Sequence, residues 1–324
     1  MRRPPAGPRG GLDLSADDAL RQFAGAVGPS GPVTVIGGRT QWAVGGAPAG
    51  TARELRAPDG VVAFEPAELT VRVRTGTAVA ELHGVLAAHG QTTVLPERPG
   101  GTVGGAVAVG RSGVRRLGDG PLRDAVLECR FVTAEGRLAK AGGPTVKNVS
   151  GYDLCRLLVG SLGTLGLFAE VVLRTRPLPP ARRWVAGVAD PFELLPRLYR
   201  PGAILWDGHT TWVLLEGHPD DVAAQAGIAA GAGLVDTDGP PAIPAVGRLS
   251  VAPGELRSLG LEPGTFVAEV GVGLVHLAGP VPAGLRPPAQ LESPVLEIQR
   301  RLKALFDPTG RLNPGRDLLG GAAA

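Results

Sequence analysis

Three glycine-rich stretches set the strongest limit on how this chain can fold. They are IGGRTQWAVGG (36–46), PERPGGTVGGAVAVGRSG (96–113) and GSLGTLG (160–166). Each adjoins a segment with strand or short-helix character, so each reads as a loop at the end of a regular element. In such loops successive backbone N–H groups can converge on an anion, and the missing Cβ atoms let a phosphate come close. One loop of this kind reads as an ordinary turn. Three of them, with Thr40, Thr102, Ser161 and Thr164 beside glycines, supply the hydroxyls and free amides that a phosphate-lined cleft requires. Neither standard nucleotide fingerprint fits: no Gly-Lys-Ser/Thr is present, and Gly160, Gly163 and Gly166 are three apart instead of Gly-x-Gly-x-x-Gly. A pyrophosphate is the guest these loops imply.

The elements around the loops alternate in character. A Ser-x-x-Asp signal opens a helix at residue 15 that puts Leu20, Phe23 and Val27 on one face. Strand signals follow at 33–36, 61–64 and in LTVRVRTG, then an amphipathic helix AVAELHGVLAAHG and a strand QTTVLP. AVLECRFVTAEGRLAKAG predicts a hairpin turning at Glu135-Gly136, and LFAEVVLRT a buried strand. RPLPPARR (176–183) stops any helix or central strand, so a boundary is expected there. Beyond it, short strand-like and helix-like segments predict a small antiparallel sheet with helices on one face, whose core Trp206 and Trp212 would fill. A last helix starts at Ser293-Pro294 and aligns Val295, Ile298, Leu302 and Leu305. The expected organisation is a disordered arm (1–14), a first domain (15–179) and a reduced second domain with a C-terminal helix and return segment (180–324), in an α+β fold.

Composition excludes several function classes. All but three of the 33 basic residues are arginine, and they are scattered, so no nucleic-acid surface is expected. Cys129 and Cys155 are 26 positions apart, which rules out a disulfide framework and an iron–sulfur motif and suits a reducing cytoplasm. They read as small buried residues without a nearby partner. The opening MRRPPAGPRGG lacks an apolar run and does not read as a signal peptide. No apolar stretch approaches the ~20 residues a membrane span needs, so membrane association is expected only through partners.

The order of a Gly-Gly-x-Thr loop, PGGTVGGAVAVGRSG, and then GYDLCRLLVGSLGTLG before a strand resembles the FAD-binding half of the vanillyl-alcohol oxidase/p-cresol methylhydroxylase (PCMH-type) flavoproteins, over about residues 15–179. Within that superfamily, KNVSGYDLCRLLVGSLGTLG, the short length and the terminal FDPTGRLNPGR are most similar to the FAD-binding subunits of glycolate oxidases. The resemblance implies a two-subdomain PCMH-type FAD-binding domain followed by a small antiparallel α+β cap domain. It implies that Gly37, Gly38, Arg39 and Thr40 clamp a phosphate. Pro99, Gly100, Gly101, Thr102, Val103, Gly104 and Gly105 would line the pyrophosphate, and Gly160, Ser161, Gly163 and Thr164 would close the other side. Asn148, Tyr152 and, from the C-terminal return, Asn313 would lie near the same cleft, with Arg316 beside Asn313 in the same motif. Arg39 stands where many relatives carry a third glycine or a flavin-linking histidine, so the FAD is expected to be non-covalent.

The function so implied is oxidation of glycolate to glyoxylate, beside a larger FAD-binding catalytic subunit and an iron–sulfur subunit that carries electrons away, in the cytoplasm and at most peripheral to the inner membrane. A stand-alone FAD-dependent dehydrogenase of D-lactate or another 2-hydroxy acid, and a non-catalytic electron-relay or assembly subunit, remain open alternatives. No catalytic set is evident. The five histidines (83, 89, 209, 218, 276) have no metal-ligand spacing, so no metal site is expected. His83 and His89 read as surface or capping residues, and His276 as either a core histidine or one that a cap strand aims at the flavin.

Overall fold

The computed structural model describes residues 14–143, 153–285 and 293–317. Two antiparallel sheets dominate it. The first has five strands in the order Val61–Glu65, Thr70–Arg74, Leu167–Arg174, Val126–Val132, Leu138–Gly142. Alternation in Thr-Val-Arg-Val-Arg turns Val71 and Val73 onto a core shared with helices Val79–Ala87, Val103–Val109 and Leu154–Leu158. The central strand Leu167–Arg174 is buried along nearly its whole length because both faces are covered. Helix Leu14–Val27 packs Leu20, Phe23 and Val27 against Val132, Leu167 and Ala169 in a separate cluster.

Arg72, between the two valines, points to the opposite face. There its Nη1 donates to Glu128 Oε1 (2.9 Å) and Glu170 Oε1 (2.8 Å), two carboxylates that are almost fully buried. Burial alone would raise the Glu128 carboxyl, but hydrogen bonds from Arg72 and Lys140 outweigh it and hold Glu128 below the ordinary carboxylate range. Arg72→Ala leaves both carboxylates without their main partner and should cost about 3–5 kcal/mol of stability, the usual result of breaking a buried pair from one side. Urea unfolding at neutral pH measures it. Since the folded Glu128 has the lower pKa, its stabilising contribution is present above the unfolded value and fades as pH falls toward the folded one. The gap between wild type and variant should therefore narrow in acid.

The second sheet runs Val235–Thr237, Ala181–Gly187, Thr211–Gly217, Ala203–Trp206, Phe266–Glu269, Leu274–Leu277, Gly247–Ser250. Every pairing in it is antiparallel. It shares no strand with the first, the break falling between Arg176–Pro177 and Ala181. Helices Pro191–Leu194 and Pro219–Gly231 cover one face, where Trp206 stacks edge-on against Phe192 and Phe266. The opposite face carries Trp184, Leu205, Leu214 and Val267, with Trp212 packed beside them, and turns toward Val114 of the first half. Gly118, in the short helix Arg116–Asp119, lies against Gly202 so closely that a Cβ on it would meet the Gly202 Cα at 2.9 Å.

After the C-terminal helix Ser293–Phe306 the chain returns to the first half. Asp307, fully buried, accepts from the backbone N–H of Arg311 (3.0 Å) and Leu312 (2.8 Å) and from Lys303 Nζ (2.6 Å). Arg311 donates to the carbonyls of Val27, Ser30, Gly31 and Ala134 at 2.7–3.0 Å. Leu312 then bridges in parallel to Val33, which itself pairs with Arg53.

The structure corrects one expectation and shows where the last helix turns its apolar face. Val295, Ile298 and Leu305 are 41%, 58% and 76% exposed, so the apolar face of the last helix points mainly outward. Lys303, on a different side of that helix, is the residue that reaches the first half, donating to Thr164 O at 2.7 Å. Cys129 and Cys155 are neighbours after all, with Sγ atoms 3.7 Å apart and both buried as free thiols. The strand holding Cys129 packs on the helix holding Cys155, and their mutual contact and burial push the Cys129 thiol up.

Candidate functional site

The first glycine loop leaves strand Val33–Val35 once Ile36 N–H has bonded to Leu55 O at 2.8 Å. From there the amides of Gly37, Gly38, Arg39, Thr40 and Gln41 find no acceptor among the described residues. Arg39 takes a left-handed φ of 55°, which turns this run of donors around a bend. Gly38 lies against the second loop: a Cβ there would sit 1.6 Å from Gly100 O, and one on Gly37 would sit 2.3 Å from Thr102 Oγ1. Glycine is thus needed at these positions for backbone approach.

The second loop contains a short helix, Val103–Val109, which Thr102 caps by accepting from Gly105 N–H (3.2 Å). The third touches the second at Gly160, whose Cα would be 2.8 Å from a Cβ on Gly110. Its hydroxyls turn inward: Thr164 Oγ1 donates to Ser161 O (2.8 Å), and Ser161 Oγ is buried without a partner among the described residues.

Together these loops enclose a cavity of about 290 Å³. Gly37, Gly38, Arg39, Thr40, Thr102, Gly104, Gly105, Gly163 and Asn313 line it. Pro99, Gly100, Gly101, Val103, Gly160, Ser161 and Thr164 are not among the residues that line it, and Asn148 and Tyr152 lie outside the described residues. Asn313 is held fast: its Oδ1 accepts from Thr34 Oγ1 (2.6 Å) and Val35 N–H (3.1 Å), and its Nδ2 donates to Leu162 O (2.8 Å). Arg39 is spoken for as well, paired with Glu54 (2.6 Å) and lying over Trp42 at 4.9 Å, with Arg316 over the same ring at 4.5 Å. The phosphate-binding capacity of this loop therefore resides in its backbone amides more than in the Arg39 side chain. A run of free amides at a cavity wall, opening on two glycines that leave no room for a Cβ, fits a dinucleotide pyrophosphate.

A second, larger cleft of about 810 Å³ adjoins the first and shares Arg39, Thr40, Gln41, Trp42 and Val44 with it. It opens between the two sheets. Antiparallel register puts Val267 and Arg248 on either side of His276, so Glu269, His276 and Arg248 share the face turned to the first half. His276 Nε2 bonds Glu269 Oε1 at 2.8 Å, and Glu269 is 2% exposed. His83 lines the same cleft, held by Glu97 (2.9 Å) and Thr93 Oγ1 (2.9 Å); it is no plain surface residue of its helix.

The carboxylates at this cleft all have partners: Glu97 has His83, Glu269 has His276, and Asp119 has Arg115 and Arg176. Four of its arginines do not. Arg98, Arg111, Arg116 and Arg248 form no ion pair among the described residues. Burial, then repulsion from Arg111, pulls Arg248 down to about 10; burial and Arg98 lower Arg111 likewise. Both stay cationic at neutral pH, and an incoming anion would relieve their repulsion. No sequence spacing announced this cluster. Among the described residues there is no group of three or more metal-ligating side chains, and no helix is long and apolar enough to cross a membrane.

A family model described as an FAD binding domain matches residues 19–142. The chain is similar to glycolate oxidase subunit GlcE of Escherichia coli (strain K12), 32% identical over 217 residues that cover 63% of this chain and 61% of that protein. It is also similar to a D-lactate dehydrogenase of Archaeoglobus fulgidus, 39% identical over 37% of this chain and 27% of that one. The chain thus spans at most 61% of the length of these relatives. Among solved structures, an alkyldihydroxyacetonephosphate synthase superposes with a TM-score of 0.66 over 92% of this chain and 74% of its own, at 14% identity, a likeness of fold.

Proposed function

We propose that this chain, whose residues 19–142 match a family model described as an FAD binding domain, oxidises a 2-hydroxy acid as the FAD-binding subunit of a glycolate oxidase type of complex. The observation that carries the reading is the junction of two cavities along one loop: free amides on one side, unpaired arginines facing a histidine–carboxylate pair on the other. The amides of residues 37–41 would hold the FAD pyrophosphate, without a covalent link. FAD, when bound, supplies a two-electron acceptor, so that oxidation of the alcohol carbon to a carbonyl delivers two electrons and one proton to it and leaves the hydroxyl proton for the chain to take.

Arg248, beside His276 in the sheet, would hold the substrate carboxylate. With Nε2–H donating to Glu269, His276 Nδ1 is left as the acceptor for the hydroxyl proton, and Glu269 fixes the ring and stabilises the charge it gains. The cap-domain boundary near Pro179 puts this pair on the second unit and the amides on the first, so closure of the two would bring substrate to flavin. A larger FAD-binding subunit and an iron–sulfur subunit complete the complex in the cytoplasm, with membrane contact only through those partners. Glycolate is the first substrate to test and D-lactate the second.

The deciding experiment is the visible spectrum of the purified chain, followed by anaerobic addition of each acid. Bound flavin that bleaches gives this chain its own substrate site, as the His276 cleft predicts. Flavin that stays oxidised until partner subunits are added would move the chemistry to them and leave this chain an electron-relay role. Protein that takes up no flavin on reconstitution would sink the reading altogether.

A further inference from the structure

The larger cleft holds more positive charge than a small hydroxy acid can use. Glycolate and lactate are monoanions of a few heavy atoms, and one bidentate guanidinium satisfies their carboxylate. The cleft measures about 810 Å³, within the range of sites for much larger ligands; Arg98, Arg111 and Arg116 in it form no ion pair among the described residues, and Arg248 has only the longer-range attraction of Glu269. They are not interchangeable in position. Arg248 shares a cross-strand row with His276 on the second sheet. Arg98 and Arg111 come from the second glycine loop and Arg116 from the turn that follows it, on the other wall. Arg98 is near enough to Arg111 to disfavour its charge. Elsewhere in this cleft the chain neutralises its charges locally: Arg115 and Arg182 both reach Glu216, at 3.0 and 3.3 Å, and Arg176 pairs with Asp119. An uncompensated group of like charges facing a cavity is costly unless an anion joins it.

We infer that the substrate carries a second anionic group: a 2-hydroxy acid whose carboxylate meets Arg248 beside His276 and whose far end, a carboxylate or a phosphate, meets Arg111 and Arg98 on the opposite wall. The inference rests on the hydroxy-acid reading above and changes only the member of that class. Arg116 lies on the same side as the far end and adds to its field. Two anionic ends gripped from two walls would also favour closure of the cleft over the hydroxyl-bearing carbon.

Calorimetric titration of the flavin-loaded protein with product-like keto acids tests this without turnover. The probes are pyruvate and glyoxylate as monoanions, 2-oxoglutarate as the dicarboxylate, and 3-phosphohydroxypyruvate as the phosphate. One further charge-assisted contact should tighten binding roughly 10- to 100-fold, so one of the last two should exceed pyruvate by that factor, and the tighter identifies the second group. Arg98→Ala, at an exposed position where little packing is lost, should remove most of that advantage, read as the ratio of the doubly anionic probe's affinity to that of pyruvate. Arg116→Ala should remove part of it. Equal affinity for all four probes overturns the second-anion inference and leaves the hydroxy-acid reading intact. Failure of every probe to bind overturns both.

Discussion

A Gly38→Ala protein reconstituted with FAD should bind it on the order of 100-fold more weakly than wild type. The added Cβ would lie 1.6 Å from Gly100 O, a backbone atom that no rotamer change can move aside, so the first and second loops must separate. Overpacking a tight site costs about 1–3 kcal/mol and occasionally more; the backbone clash belongs at the upper end, and about 1.4 kcal/mol corresponds to one decade of affinity. Loop separation also spreads the free amides of residues 37–41, which act as an anion site only while they converge. Gly50→Ala is the matched control, because nothing lies within 4 Å of its Cβ position and its backbone is not left-handed. Flavin fluorescence titration compares the two, with urea unfolding of each apoprotein to establish that both are folded. Unchanged FAD affinity in the Gly38 variant would remove the first loop from the cofactor site.

Much of this site could be read from sequence because its parts are local. The amides of the first loop are consecutive residues, and glycine pairs next to Thr40 and Thr102 mark where backbone must approach backbone. Strands such as Thr70–Arg74 carry their burial in a period of two and were likewise legible. The sequence reading named more loop residues than the cavity uses, since a glycine that permits close approach, such as Gly100, looks the same in sequence as one that lines a site.

The substrate cleft was hidden for the opposite reason. Arg248 and His276 are 28 positions apart, and only the register of Gly247–Ser250 on Leu274–Leu277 makes them neighbours; Arg111 reaches them from the other half of the chain. Register depends on the whole sheet, which motif spacing does not encode. His83 was misread because the residues that hold it, Thr93 and Glu97, belong to the segment after its helix, which folds back over it. The outward face of the last helix shows the converse limit: a periodic apolar pattern says which residues share a side, and nothing about what that side meets.

The same register yields the largest catalytic effect. His276→Gln should lower kcat by about 10²- to 10⁴-fold, the usual contribution of a positioned general base, while affinity for keto-acid probes stays within a few fold because Arg248 and Arg111 are untouched. Glutamine keeps a hydrogen-bond donor near Glu269 but offers no basic nitrogen for the hydroxyl proton. Glu269→Gln is the companion variant. It removes the charge that fixes the ring and steadies the imidazolium, yet leaves the imidazole itself, so its kcat should fall less than that of His276→Gln. The pattern separates catalysis from packing. A merely structural His276, holding a buried Glu269 in the sheet, would show its loss as a lower unfolding midpoint and weaker probe binding in both variants, with kcat per folded, flavin-loaded protein preserved. Anaerobic flavin reduction by the preferred hydroxy acid, followed in a stopped-flow spectrometer on the chain with its partner subunits where they are needed, reads kcat for the reductive half alone. A His276→Gln rate within threefold of wild type would assign proton removal to another group in the cleft, His83 first, since it is the other imidazole lining it.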